Sequence, residues 1–235
     1  MALPKLNSSP SYELTIPSSG QLVHFRPFLV KEQKNLLIAL ETQDRKALLS
    51  SIIRTIESCV EETIKSKLTT FDVDYMFTKL RAKSVGESVD LSINCESCEE
   101  PNTVTIDIDS VQVKNPVQDN VVKLSEEISV EMAYPSYHEF LENTTMTESK
   151  TQAEILFELM LVCMKAVLTD EERISLKDES REEIITFVEN MTTEQYSTLM
   201  NYVQNIPYAY KDVEFTCSKC NTVNNRTLQG MDDFF

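Results

Sequence analysis

The chain has 235 residues, a formal net charge of −16 and only three glycines. Its length is enough for one large domain or two small ones, and its 41% hydrophobic and 26% charged residues are ordinary for a folded globular protein. Gly20, Gly86 and Gly230 lie far apart, which excludes the glycine-rich loops that bind dinucleotides or nucleotide phosphates. With 22 Lys and Arg against 38 Asp and Glu, the mean field repels nucleic acid and anionic lipid.

The compartment is indicated by the first residues and by the longest apolar stretch. Residues 1–10 lack the charged-then-apolar pattern of a signal peptide, so we expect a reducing compartment. Residues 155–168 are interrupted by Glu158 and Lys165, which predicts a buried helix and no membrane insertion. In a reducing compartment, six cysteines are expected as core thiols or metal ligands rather than as disulfides.

Hydrophobic patterning predicts a hairpin followed by helices in the first part of the chain. A Pro-Ser-Ser-Gly turn separates β-prone runs at residues 12–16 and 21–25. A short helical segment at residues 36–40 precedes a longer helix, which Asp44 caps and which extends to about residue 66. Apolar residues at helical spacing predict another helix over residues 71–82.

Strands and then helices are expected in the rest of the chain. Alternation of apolar and polar residues predicts strands at residues 89–93 and 104–108, and residues 121–132 are also β-prone. The expected helices lie at residues 151–168, 181–188 and 196–206, before a last strand pattern at residues 213–215.

This order of elements predicts the α+β class, because no regular alternation of strand and helix appears. The expected architecture is a mainly helical body with small antiparallel β modules. No linker or low-complexity tract divides the chain, so we expect a single domain over residues 1–235.

Two cysteine pairs carry the strongest chemical signal. Cys95 and Cys98 enclose two residues, as do Cys217 and Cys220, and each pair follows a predicted strand and precedes a β-prone run. Two such hairpin tips, at residues 88–109 and 211–229, supply the Cys₄ shell of a structural zinc ion in a zinc-ribbon-like site. Because 118 residues separate the pairs, the ion would tie the end of the chain to its middle.

Two other interpretations of the cysteine pairs stay open at this stage. A redox dithiol needs an electropositive setting, which Glu96, Glu99 and Glu100 oppose, and the thiols can also pack without metal. Zinc knuckles often have glycine after the second cysteine, where this chain has Glu99 and Asn221. Asn tolerates the left-handed backbone more readily than Glu does.

Nothing else in the sequence indicates catalysis, so we expect no enzyme. His24 and His138 lack a matched nucleophile or a second ligand, and carboxylates are too abundant to single out an acid–base pair. Cys59 and Cys163 lie in apolar helical stretches and are expected in the core. The terminal pair Phe234 and Phe235 predicts either packing onto the chain itself or contact with a partner.

Several segments together resemble the T4-type bacteriophage baseplate protein family. They are residues 25–32, residues 71–87, the strand leading into Cys95 and Cys98, and residues 233–235. The resemblance covers nearly the whole chain and is most specific over residues 71–98. It implies a non-enzymatic late protein that acts as a baseplate hub subunit or as a hub assembly chaperone.

The resemblance also implies partners and a location. The partners are other hub or tail proteins, and the location is the bacterial cytoplasm during assembly. Whether the protein is also present in the virion tail baseplate stays open. Lys79, Arg81 and Lys83 form a basic patch at a predicted helix end, which predicts either a partner contact or an interaction with the helix dipole. Copy number and oligomeric state stay open.

Two rival functions belong to other classes. A zinc-ribbon adaptor or regulator would bind a host transcription or nucleic-acid machine, and its acidity would mimic DNA. A hydrolase with an unrecognised carboxylate site would have a deep pocket lined by carboxylates with perturbed pKa values.

Overall fold

The computed structural model describes residues 10–42, 44–137, 139 and 151–234, and these divide into two compact units. The first unit contains the described residues of Met1–Ser66, Phe71–Lys114 and Tyr208–Phe235. The second contains those of Lys67–Thr70 and Asn115–Pro207. One family domain over residues 1–235 stays a prediction, because compactness alone does not say which residues fold cooperatively.

The first unit begins with the expected hairpin and helices. Its first strands, β1 (Tyr12–Thr15) and β2 (Leu22–Phe25), pair antiparallel. Three helices follow: α1 (Val30–Glu41), α2 (Arg45–Cys59) and α3 (Thr70–Ser84).

The start of α2 is as predicted, but its end is not. The Asp44 carboxylate caps the helix by accepting hydrogen bonds from the N–H groups of Lys46 and Ala47. The predicted extension to about residue 66 is wrong, because the helix ends at Cys59 and Val60 turns into extended backbone. Val60 then forms a β-bridge with Phe25 of β2, so pairing with the hairpin replaces another helical turn.

Two small sheets complete the first unit. One consists of β3 (Ser88–Asn94) and β4 (Pro101–Asp107), which pair antiparallel. The other has the order β11–β10–β5 and contains the strands Gln112–Lys114 (β5), Tyr208–Thr216 (β10) and Val223–Gln229 (β11). Their inward side chains share a core that includes Ile106, Leu228 and the fully buried Phe234.

The second unit is built on a four-stranded antiparallel sheet with the order β6–β7–β8–β9. Its strands are Val121–Lys123 (β6), Ser129–Met132 (β7), Met164–Leu168 (β8) and Arg173–Ser175 (β9). Its helices are Gln152–Cys163 (α4), Arg181–Glu189 (α5) and Thr193–Gln204 (α6). They pack around fully buried Val130, Met160 and Leu199.

The predicted helix over residues 151–168 is wrong in its second part. Thr151 caps α4 as a helix start requires, with its hydroxyl accepting from the Glu154 N–H, but the helix ends at Cys163. Residues 164–168 form β8, which pairs with β7 on one side and β9 on the other. A segment that is apolar on all sides suits a buried strand as well as a buried helix, so its composition did not distinguish them.

The α+β class with small antiparallel sheets is confirmed. Within the described residues, none of the helices combines the length and the apolar character that crossing a lipid bilayer requires.

An ion pair between a partly exposed arginine and a buried carboxylate joins three elements of the first unit. The Arg26 guanidinium after β2 donates to the Glu32 carboxylate of α1 (2.9 Å) and to the Ser58 carbonyl near the end of α2 (3.0 Å). Glu32 also accepts from the Leu29 N–H (2.8 Å), which is left free at the start of α1. Burial opposes its charge, but the hydrogen bonds from Arg26, Leu29 and Lys31 outweigh burial and lower the pKa of Glu32 to about 2.

We expect Glu32→Gln to lower the free energy of unfolding by about 3 kcal/mol at neutral pH, because it leaves the Arg26 charge unbalanced. A carboxyl whose pKa falls on folding stabilises the fold above its ordinary pKa of 4.5 and loses that effect as the pH falls to about 2. Urea unfolding of both proteins from pH 7 to pH 2 should therefore show a difference that shrinks in this interval. Glu41→Gln, at an exposed site of the same helix, is the control. A Glu32→Gln effect that does not depend on pH would contradict the interpretation.

Candidate metal centre

The two cysteine pairs lie in turns of the same geometry. In the turn between β3 and β4, the Cys95 N–H donates to the Glu100 carbonyl and the Glu99 N–H to the Cys95 carbonyl, both at 2.9 Å. The turn between β10 and β11 has the equivalent bonds, from Cys217 to Thr222 (2.9 Å) and from Asn221 to Cys217 (3.0 Å).

The backbone is left-handed after the second cysteine of each turn, at the positions where knuckles often have glycine. The φ angle is 59° at Glu99 and 56° at Asn221. An L-residue pays about 1–2 kcal/mol for this conformation. Both turns therefore adopt the knuckle conformation without glycine, at a higher cost for Glu99 than for Asn221, and each directs its two sulfurs to one side.

The four sulfurs form one cluster, with every pair within 4.8 Å. Cys95 and Cys220 are 3.6 Å apart, Cys98 and Cys217 3.7 Å, and Cys98 and Cys220 3.4 Å. A disulfide needs about 2.05 Å, whereas four sulfurs placed tetrahedrally at 2.3 Å from one ion stand about 3.8 Å apart. The spacing therefore matches the coordination shell of a metal ion, and all four cysteines are free thiols.

Asn102 of β4 holds the first hairpin against the second. Its side-chain oxygen accepts from the N–H (2.8 Å) and the hydroxyl (3.0 Å) of Ser218, inside the opposite turn. Its amide N–H₂ donates to the Glu100 carbonyl of its own turn (2.8 Å) and lies 3.7 Å from the Cys217 sulfur. Because the side chain is buried, these bonds replace water that cannot reach it.

Asn224 of β11 makes the reciprocal contacts. Its oxygen accepts from the Glu96 N–H in the first turn (2.9 Å), and its N–H₂ donates to the Thr222 carbonyl of its own turn (2.9 Å). Asn224 is 2% exposed. Each hairpin therefore inserts an asparagine into the turn of the other, which fixes the two cysteine pairs face to face.

The hairpins are an internal repeat with a constant offset of 122 residues, which the sequence analysis missed. Both contain the pattern D-x₄-C-x₂-C-x₃-N-x₂-T, from Asp90 to Thr105 and from Asp212 to Thr227. In both, the threonine hydroxyl donates to the aspartate across the strand pair at 2.6 Å. An alignment of the two segments on their cysteines would have shown that both also contain the asparagine.

The turns also alter the acidity of the sulfurs. The backbone N–H groups of Cys220 and Lys219 point at the Cys217 sulfur and lower the pKa of this thiol to about 6. Hydrogen bonds of this kind stabilise a thiolate, which is the form that binds metal. The pKa of Cys98 changes in the other direction. The Glu100 N–H lowers it, but the neighbouring sulfurs of Cys220 and Cys217 outweigh this effect and raise the pKa to about 12.

The remaining cysteines lie elsewhere. Cys59 at the end of α2 and Cys163 at the end of α4 are both buried and outside the cluster. Burial raises the pKa of both thiols, and that of Cys163 reaches about 12. Both cysteines therefore occupy buried positions that are typical of an apolar core residue.

The basic residues near the end of α3 have contacts within the first unit. Lys79 donates to the Asp109 carbonyl, and Lys83 binds the carboxylates of Glu87 (2.6 Å) and Asp109 (2.9 Å), which raises the Lys83 pKa. Burial lowers the pKa of Arg81, which is half-buried. Contact of Lys79, Arg81 and Lys83 with a partner stays a prediction.

Of the two terminal aromatic residues, Phe234 is fully buried in the core of the first unit. Its position favours the alternative in which the end of the chain packs onto the chain itself. Phe235 lies outside the described residues, and a partner contact of either residue stays a prediction.

A family model described as "T4 bacteriophage base plate protein" matches residues 9–235, which is nearly the whole chain and includes both cysteine pairs. No curated protein matches the chain, and no solved structure does.

We expect Asn102→Ala to lower the free energy of unfolding by about 1–3 kcal/mol, because it leaves the Ser218 N–H in the opposite turn without its acceptor. Urea unfolding measures the change. Asn225→Ala, next to Asn224 but exposed, should stay within about 0.5 kcal/mol of the wild type. If both variants were equally stable, the asparagines would not hold the hairpins together.

Proposed function

Because the chain belongs to the T4 bacteriophage base plate protein family, we propose that this phage tail protein is a baseplate hub subunit or hub assembly chaperone with one structural zinc ion. It acts through contacts with other tail proteins and carries out no catalysis. The observation that carries the proposal is the family match over residues 9–235, and the Cys₄ cluster is its chemical part.

Zinc is supported by the donor set and by its rigidity. Four thiols within 4.8 Å of one another suit an ion that prefers sulfur ligands and tetrahedral geometry. The asparagine contacts hold the sulfurs in this arrangement through hydrogen bonds that do not involve the ion. The ion would add a bond between hairpins whose first cysteines, Cys95 and Cys217, are 122 positions apart.

A structural role fits the ligands better than a catalytic one. Catalytic zinc keeps a coordination position for water or substrate, whereas Cys95, Cys98, Cys217 and Cys220 fill a tetrahedral shell. Cys95 and Cys217 are buried, and Lys219 and Glu100 pair across the outer side at 2.7 Å. The ion would therefore stabilise the first unit, and the partner contacts would lie on other surfaces.

We expect protein purified without chelator to contain one zinc ion per chain by elemental analysis. The double variant Cys95→Ser/Cys217→Ser should contain none and should unfold at a temperature roughly 10 °C lower, the shift that a loss of about 3 kcal/mol gives a chain of this size. Cys163→Ala removes a cysteine outside the cluster and should keep the full zinc content. A folded wild-type sample without metal would rule out the zinc site and leave either free thiols or a redox pair.

The role in the baseplate is tested by what accompanies the tagged chain in infected cells. We expect tail baseplate proteins, identified by mass spectrometry, whereas recovery of host RNA polymerase instead would favour the zinc-ribbon adaptor. Mass spectrometry of purified virions then separates the two roles, because a hub subunit stays in the particle and a chaperone does not. The zinc measurement tests the metal site and these two experiments test the role in the baseplate, so either part of the proposal can fail without the other.

A further inference from the structure

Exposed apolar side chains are concentrated on α1 and the residue before it. Within the described part of the chain, ten large hydrophobic side chains are exposed, and half of them fall within residues 29–40. Clustered exposed apolar side chains indicate an interaction site, whereas single ones do not.

Part of this surface is a groove with a volume of about 440 Å³, which we call the leucine groove. Its floor consists of buried side chains that include Leu49, Ile52 and Phe77. Its rim includes Leu37 and Leu40, which are 53% and 55% exposed. The concave floor is formed by the core of the first unit, and the rim side chains stand above it in solvent.

The charge of this region is opposite to that of the chain. Residues 26–54, which contain α1 and most of α2, have six Lys or Arg and three Asp or Glu, a net charge of +3. The other residues together carry −19, since the whole chain has −16. Of the three acidic side chains, Glu32 is buried in its ion pair with Arg26, and Asp44 accepts the capping hydrogen bonds of α2.

Positive charge lies beside the groove itself. Arg81 of α3 lines it. Lys34 is exposed one helical turn before Leu37, and Lys46 is exposed one turn before Leu49. In an otherwise acidic molecule, these side chains attract an acidic partner to an apolar surface.

We propose that the leucine groove binds an amphipathic α-helix of another protein, with large apolar side chains on one face and acidic side chains along its flanks. The lining comes mainly from α1, α2 and α3, whose backbone groups are already paired within each helix. An extended peptide would find no sheet edge here for its own backbone, whereas a helix brings its hydrogen bonds with it. The bound helix would pack beside the three helices of the first unit. Its apolar side chains would contact Leu37 and Leu40 at the rim.

Two other ligands fit the groove less well. Among the lining side chains only Gln33 and Arg81 are polar, which is few for the orientation of a small metabolite. A bilayer surface would need protruding apolar side chains, whereas this site is concave. The proposal depends neither on the zinc ion nor on the role in the hub.

The test uses a yeast-displayed library of helical peptides of about 18 residues, or five turns. One face samples Leu, Ile, Phe, Met or Ser, and the flanks sample Glu, Lys or Gln. Selection against the full-length chain should enrich peptides with an apolar face and Glu flanks. The enriched peptides are then synthesised with a fluorescent label, and their Kd is measured by anisotropy.

The matched variants are Leu37→Ser/Leu40→Ser in the groove and Ile38→Ser outside it. Ile38 is 50% exposed on the same helix and lines a separate polar cavity. The double variant should weaken binding at least tenfold, because the burial of two leucines under the bound helix contributes more than the 1.4 kcal/mol that a factor of ten requires. Ile38→Ser should change Kd less than twofold. All three side chains are exposed, so folding should be unaffected, which circular dichroism checks.

Several results would overturn the proposal. They are no enrichment, enrichment of Lys-flanked peptides, or equal weakening by Ile38→Ser. Sedimentation with phosphatidylglycerol vesicles, lost in the double variant while no peptide binds, would assign the surface to lipid. A dimer in analytical ultracentrifugation that the double variant abolishes would assign the groove to a second copy of the chain.

Discussion

The first unit depends on the contact between two hairpins that are far apart in the sequence. Bringing Cys95 and Cys217 together closes a loop of 122 positions, which costs about 4 kcal/mol of chain entropy. Buried side chains from both hairpins, among them Ile106 and Leu228, offset this cost, as do the reciprocal bonds of the asparagines. Without this contact β3 and β4 would be an isolated pair of strands, which is marginally stable in water.

The reciprocal asparagines determine how the two hairpins are aligned with each other. Apolar packing alone tolerates sliding, because it depends on area rather than on the alignment of particular atoms. A buried amide that finds its partners in only one position penalises other alignments by leaving polar groups without hydrogen bonds. Asn102 and Asn224 therefore align the hairpins, and the sulfur cluster is a consequence of that alignment. The leucine groove is separate, because its lining comes mainly from α1, α2 and α3, outside both hairpins.

Local patterns predicted most of this structure. Alternation located β3 and β4, the capping Asp44 located the start of α2, and cysteine spacing brought together four sulfurs from distant positions. The errors came where tertiary pairing decided the outcome: Val60 leaves the helix to bridge Phe25, and residues 164–168 become the strand between β7 and β9. The asparagines were missed because a single asparagine near the start of a strand has no distinctive pattern. Only the comparison of the two hairpins with each other makes it visible.

The separation of the hairpins has a consequence for synthesis on the ribosome. At about 5–20 residues per second, the first hairpin is made roughly 5–20 s before the second begins, with residues 108–207 produced in between. During that time its cysteines and the side of β4 that carries Asn102 have no partner. A chain that stops early thus has the first half of the repeat without the second. The contact between the two hairpins can therefore form only after translation has passed residue 229.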